Sequence, residues 1–112
     1  MKKNEILLKK PIKNPDTKII SNRENGVAVI TYPKDFGTIE KWFHKRIGGP
    51  ELVKRPLDQY TTLIWDLCDG NHSVKDIVDI FDSEFGEEVA PAASRVQQFL
   101  EKLLELNLII LK

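Results

Sequence analysis

The chain has 112 residues, 41% of them hydrophobic and 30% charged, with a formal net charge of zero. That length makes one domain, and the apolar fraction is too high for a disordered chain. No apolar run exceeds four residues, against the roughly 20 that a spanning helix needs, and no stretch resembles a secretion signal. A cytoplasmic protein is the expectation. The neutral total hides two opposite halves. Residues 1–56 hold thirteen Lys/Arg and six Asp/Glu, for +7, and residues 57–112 hold four and eleven, for −7. The single cysteine, Cys68, excludes an internal disulfide, and with two histidines it leaves little for a zinc site.

In chain order, residues 1–16 read as a flexible basic arm, with five lysines, prolines at 11 and 15, and one apolar spot at Ile6–Leu8. A single domain is expected over 17–112. Thr17–Ser21 and Val27–Tyr32 read as strands, joined through Asn25-Gly26, the strongest short hairpin signal. Val27–Tyr32 is apolar on both faces, which suits an inner strand, and Pro33 stops it. Thr38–Ile47 has helical spacing, with Lys41, His44, Lys45 and Arg46 on its polar face. This insert helix, at about 38–47, reads either as a lid over the core or as a surface that grips a partner or an anionic membrane. Glu51–Arg55, bracketed by Pro50 and Pro56, reads as an edge strand, because proline cannot donate to a ladder.

From Leu57 the pattern turns helical. Asp58 suits an N-cap, Tyr60, Ile64, Leu67 and Cys68 form a stripe, and Gly70 suits the helix end. Ser73 and Asp76 form a capping-box pattern before the apolar face of Val74, Ile77, Val78, Phe81 and Phe85. Gly86 closes that helix. Pro91 fits the first position of a third helix, with Val96, Phe99, Leu100 and Leu103 on one stripe. Asn107 can take a left-handed cap that folds Leu108 back on Leu103, leaving Leu108–Leu111 as a short strand or extended tail. The fold class expected is α+β and winged-helix-like: an N-terminal β-hairpin and edge strand, three helices, and a short C-terminal strand.

Little in the chain points to catalysis. Gly48-Gly49 lacks the Lys-Ser/Thr of a phosphate loop. His44 and His72 have no ligand partners at metal spacing, Cys68 lies on an inner stripe, and Asp66 and Asp69 read as exposed helix acids. No catalytic residue, metal or cofactor is expected, and the chain does not read as an enzyme. DNA binding is disfavoured by sign: Pro91–Leu106 is neutral and Val74–Glu84 carries −3, whereas phosphate contacts dominate DNA affinity.

The block Leu63-Ile64-Trp65-Asp66-Leu67-Cys68-Asp69-Gly70, followed by Ser73-Val74-Lys75-Asp76-Ile77-Val78, resembles the PqqD-like proteins. These are small peptide chaperones, named for pyrroloquinoline quinone biosynthesis, whose fold is the recognition element of many peptide-modifying pathways. The likeness continues through Phe85-Gly86, Val96, Phe99-Leu100, Leu103 and Leu108-Ile109. It also takes in Asn14-Pro15 and Val27–Pro33, so that it covers roughly residues 14–111. Two departures stand out. Lys34–Gly49 is longer than the connection in the family's simplest members, and Leu57-Asp58 stands where many have Leu-Asn.

The resemblance implies a non-enzymatic domain that captures a precursor (leader) peptide by β-augmentation and delivers it to a modifying enzyme, often a radical S-adenosylmethionine enzyme. The site it implies is the Glu51–Arg55 edge together with the third helix. Leu52, Val53 and Lys54 would pair through their backbones, Lys54 and Arg55 would favour an acidic peptide, and Val96, Phe99 and Leu103 would line or support the groove. The same three residues also read as plain core. Two other classes stay open, a winged-helix transcription factor and an interaction adaptor, as does a homodimer.

Overall fold

The computed structural model describes residues 3–33 and 52–112. The expected insert helix at 38–47 lies outside the described residues. The elements are α1 (Lys3–Leu7), β1 (Pro11–Lys13), β2 (Ile20–Glu24), β3 (Val27–Pro33), β4 (Leu52–Pro56), α2 (Gln59–Leu67), α3 (Val74–Phe85), a 3-10 turn (Gly86–Val89), α4 (Ala92–Glu105) and β5 (Ile109–Leu111). The fold is α+β, as expected.

Strands β2, β3 and β4 form an antiparallel sheet in that order. Asn25 (φ 53°) and Gly26 (φ 84°) make a two-residue turn, both in the left-handed region, and Glu24 pairs with Val27 directly across it. That turn geometry matches the twist of the strands it joins. The ladder therefore closes tightly on Asn-Gly, and β2 lies three residues later than the expected Thr17–Ser21. Ala28, Val29 and Ile30 are consecutive and all buried, so β3 is covered on both faces there. The expected inner strand is the central one.

The starts of α2 and α3 are capped reciprocally. Thr61 N donates to Asp58 Oδ1 at 2.8 Å while Asp58 N donates to Thr61 Oγ1 at 3.1 Å. Ser73 and Asp76 do the same for α3, each bond at 3.0 Å. Such caps contribute about 1 kcal/mol each. The helices close over Ile64, Trp65, Ile77, Phe81, Val96 and Leu103, all essentially without solvent exposure. Pro91 sits at the N-cap of α4, one position earlier than expected, and a 3-10 turn that the apolar periodicity did not reveal buries Val89. Asn107 takes φ 60°, with Leu108 N donating to Leu103 O at 2.9 Å and Asn107 N to Leu104 O at 3.0 Å. This is the expected left-handed helix exit.

The arm is the main correction. Residues 3–7 form a helix, and Pro11–Lys13 pair antiparallel with Ile109–Leu111. Val74 N donates to Lys9 O and Gly70 N to Pro11 O, each at 2.9 Å. Lys13 explains why this basic segment stays on the domain: its Nζ donates to Trp65 O at 2.9 Å and Cys68 O at 3.4 Å, and lies 4.8 Å from the Trp65 ring centroid. A cation thus satisfies carbonyls at the negative end of α2 and rests on an aromatic face. Composition marks a lysine as solvated, and only the fold supplies these acceptors.

Gly70 also has a different task from the one expected. Helix α2 ends at Leu67 with Cys68 as its cap, two residues before Gly70. Gly70 has φ 81°, and a Cβ there would lie 3.0 Å from Ile12 Cδ1. The glycine lets β1 approach the α2–α3 turn. Gly26, at φ 84°, has open space around it. Gly70→Ala is therefore expected to destabilise more than Gly26→Ala, by about 2 against about 1 kcal/mol, in urea unfolding monitored by circular dichroism.

Two carboxylates link the helix caps to pH. The Asp69 carboxyl is held below its ordinary value of 3.8, first by the backbone N–H of Asn71 and then by the His72 ring. Asp76 is lowered likewise, chiefly by the Ser73 N–H. A lowered folded pKa gives stability that is complete above 3.8 and lost as pH falls through the folded value. Urea midpoints should fall below about pH 4 and stay flat from there to neutrality. Asp76→Asn should reduce that acid-side fall.

Candidate functional site

The backbone of β4 defines the first part of the site. Leu57 N donates to Ala28 O at 2.8 Å, which makes 28 and 57 a hydrogen-bonded pair. Antiparallel pairs alternate, so Arg55 with Ile30 and Val53 with Tyr32 also bond inward. The backbone groups of Leu52 and Lys54 therefore point away from β3. Among the described residues no strand takes that outer edge. The expectation that Val53 pairs outward is corrected by the register: its N–H belongs to the native ladder.

The side chains on this strand alternate as the pleat requires. Val53 and Arg55 are half-buried, and Leu52, Lys54 and Pro56 are exposed, Leu52 at 59%. Neither cation expected to attract a client is unengaged. Arg55 Nε donates to the Tyr32 hydroxyl at 3.1 Å, and Lys54 Nζ lies 3.6 Å from Glu24 Oε2. The second contact is solvent-exposed and weak, but it sets a carboxylate beside Lys54 on the sheet.

The second part is a groove of about 310 Å³ that opens at Asp58, two residues beyond the end of β4. Helix α2 contributes Tyr60, Thr61 and Ile64 to it, and α3 contributes Phe81. Helix α4 supplies Arg95, Gln98, Phe99 and Lys102. The α4 residues follow i, i+3, i+4, i+7 spacing and so share one face. The floor is apolar and rigid, since Ile64 and Phe81 are each 1% exposed, and the rim carries two cations.

Of the three α4 residues predicted for the groove, Phe99 alone lines it. Val96 and Leu103 are wholly buried and support it from behind. Arg95, Gln98 and Lys102 join the groove as well, although polar residues on the outer face of an amphipathic helix carry no signal in sequence until the neighbouring elements are placed. Cys68 is buried, and its burial pushes the thiol up to about 12, which keeps it protonated and unreactive. Among the described residues no cluster of three or more His, Cys, Asp or Glu could hold a metal, and no helix is long and apolar enough to cross a membrane.

Residues 56–109 match the family model described as coenzyme PQQ synthesis protein D (PqqD). The match opens at the last residue of β4, runs through both capped helices and α4, and ends in β5. It thus contains the whole groove and only the last residue of the edge strand. No curated protein and no solved structure matches the chain. The match covers 54 of the chain's 112 residues, those from the end of β4 through α2, α3 and α4, and likens this part of the chain to the PqqD family.

Proposed function

We propose that this chain is a non-enzymatic, cytoplasmic carrier that captures an extended precursor peptide by β-augmentation and presents it to a modifying enzyme. The observation that carries the reading is the outward backbone of Leu52 and Lys54, on an edge that leads towards the α2–α4 groove. The matched family's association with coenzyme PQQ synthesis supports a biosynthetic setting. In this reading an incoming strand adds to β4 with Val53 beneath it, Arg55 closes the end of the strand, and Phe99 meets the peptide's apolar side chains. Val96 and Leu103 hold α4 in place. The modifying enzyme is of the class such carriers serve, with radical S-adenosylmethionine enzymes the first candidates. DNA is a poor alternative ligand, because Asp76, Asp79, Asp82 and Glu84 are all exposed along α3.

The register provides a clean test. Lys54→Pro removes an outward N–H and leaves the β3–β4 ladder intact, and edge strands tolerate proline. Val53→Pro breaks the native ladder. With a leader peptide encoded beside the gene, isothermal titration should show Lys54→Pro binding weakened about tenfold while its circular dichroism and urea midpoint stay near wild type. Lys54→Ala separates the side chain from the backbone and should bind within about twofold of wild type. Full binding by a folded Lys54→Pro variant would remove β4 from the site.

A further inference from the structure

We infer that the groove selects its client through Arg95 and Lys102, for a peptide strand bearing two acidic side chains that flank an apolar one. This deepens the peptide-carrier reading and rests on it. The starting point is the distribution of positive charge. Residues 57–112 hold four Lys/Arg among eleven Asp/Glu, and two of those four, Arg95 and Lys102, rim this one groove. Both are exposed, and neither side chain has an ion-pair or hydrogen-bond partner among the described residues. By contrast Lys75 is held by Asp79 at 3.0 Å, Lys54 lies beside Glu24, and Arg55 is bonded to Tyr32. The cations on the edge strand are engaged, and those of the groove are available.

Among the described residues, the acids nearby keep their charge but make no ion pair with either cation. Asp58 also lines the groove, but its Oδ1 already accepts from Thr61 N and Thr61 Oγ1, both at 2.8 Å. Glu88 accepts from the Tyr60 hydroxyl at 3.0 Å. Glu101, the acid next to Lys102 in sequence, lines a separate apolar pocket with Ile6 and Val74 on another flank of α4. The helix therefore turns a cationic face to the groove.

Spacing then defines the ligand. Arg95 and Lys102 are seven residues apart, a rise of about 10 Å along the helix. In an extended peptide, residues i, i+2 and i+4 share one face, and the outer two are about 13 Å apart. The long stems of Arg and Lys can take up the difference of about 3 Å. Phe99 lies between the two cations along α4, and the buried Ile64 and Phe81 add to the groove's apolar lining. The complementary strand is acidic–x–apolar–x–acidic, its central side chain on Phe99.

Fluorescence anisotropy with the full chain tests this, using short labelled peptides that carry Glu-x-Phe-x-Glu, Gln-x-Phe-x-Gln or Lys-x-Phe-x-Lys. The wild type should bind the Glu peptide about tenfold more tightly than the Gln peptide at low salt, with the gap closing as salt rises. Arg95→Glu with Lys102→Glu should invert the order, so that the Lys peptide becomes preferred, while Lys54→Glu keeps the wild-type order. Circular dichroism establishes that each variant is folded. Equal wild-type affinity for Glu and Gln peptides, or an unaltered order in the folded double reversal, overturns the charge selection and leaves the peptide reading standing. No binding of any peptide overturns both.

Discussion

The junction between sheet and helix at Leu57–Thr62 sets the geometry of the candidate site. At the end of the β3–β4 ladder, Leu57 N donates to Ala28 O at 2.8 Å, but the return bond is replaced. Ala28 N instead donates to Thr62 Oγ1 at 3.0 Å, from a threonine only 7% exposed in the first turn of α2. A buried backbone N–H left without an acceptor costs about 1–3 kcal/mol, so the hydroxyl both satisfies that donor and pins α2 at one angle to the sheet. Asp58, four residues before Thr62, is thereby fixed as the cap of α2 and the mouth of the groove. This short, rigid link fixes the edge strand and the helical floor of the groove relative to one another.

A second seam holds the opposite side. Strands β1 and β5 are only three residues each, too short for a free-standing pair to be stable. They persist because β1 is gripped on both flanks, by β5 on one side and by Gly70 N on the other, with Lys13 anchored on the α2 carbonyls. The same approach requires Gly70, since a Cβ would meet Ile12. The Trp65-Asp66-Leu67-Cys68-Asp69-Gly70 block is thus accounted for structurally: Trp65 as core and cation seat, Cys68 as a buried cap, Asp69 as the acceptor that shapes the turn, and Gly70 as the close-approach point.

What the sequence revealed follows from how local each signal is. Asn25-Gly26, the two capping boxes and Asn107 act within a few residues, and each was legible. The central place of β3 and the edge place of β4 were legible too, because burial on both faces and proline bracketing leave marks in composition. The β1–β5 pairing was not, since Pro11, Ile12 and Lys13 show no alternation and their partners lie about a hundred residues on. The site divided along the same line. Phe99 and the β4 edge could be found from pattern, whereas the direction in which Val53 and Lys54 present their N–H groups depends on register. The β3–β4 pairing sets that register, and the Leu57–Ala28 bond sets which of its pairs are hydrogen-bonded.

This division bears on how such a site can discriminate among peptides. Strand addition uses backbone groups that every peptide shares, so an edge supplies affinity with little selection. Selection must come from side chains, and on β4 these are exposed, as at Leu52, or engaged, as at Lys54 and Arg55. The groove has the opposite character: a rigid apolar floor, a rim of long cations and no ladder to complete. A chain of zero net charge has no net monopole with which to draw an acidic ligand, so attraction depends on where its charges sit. The +7 half carries the sheet and the −7 half carries the groove. A pair of cations set in otherwise acidic surroundings therefore marks one position on the surface, which is what fixing a peptide's register, as distinct from merely attracting it, demands.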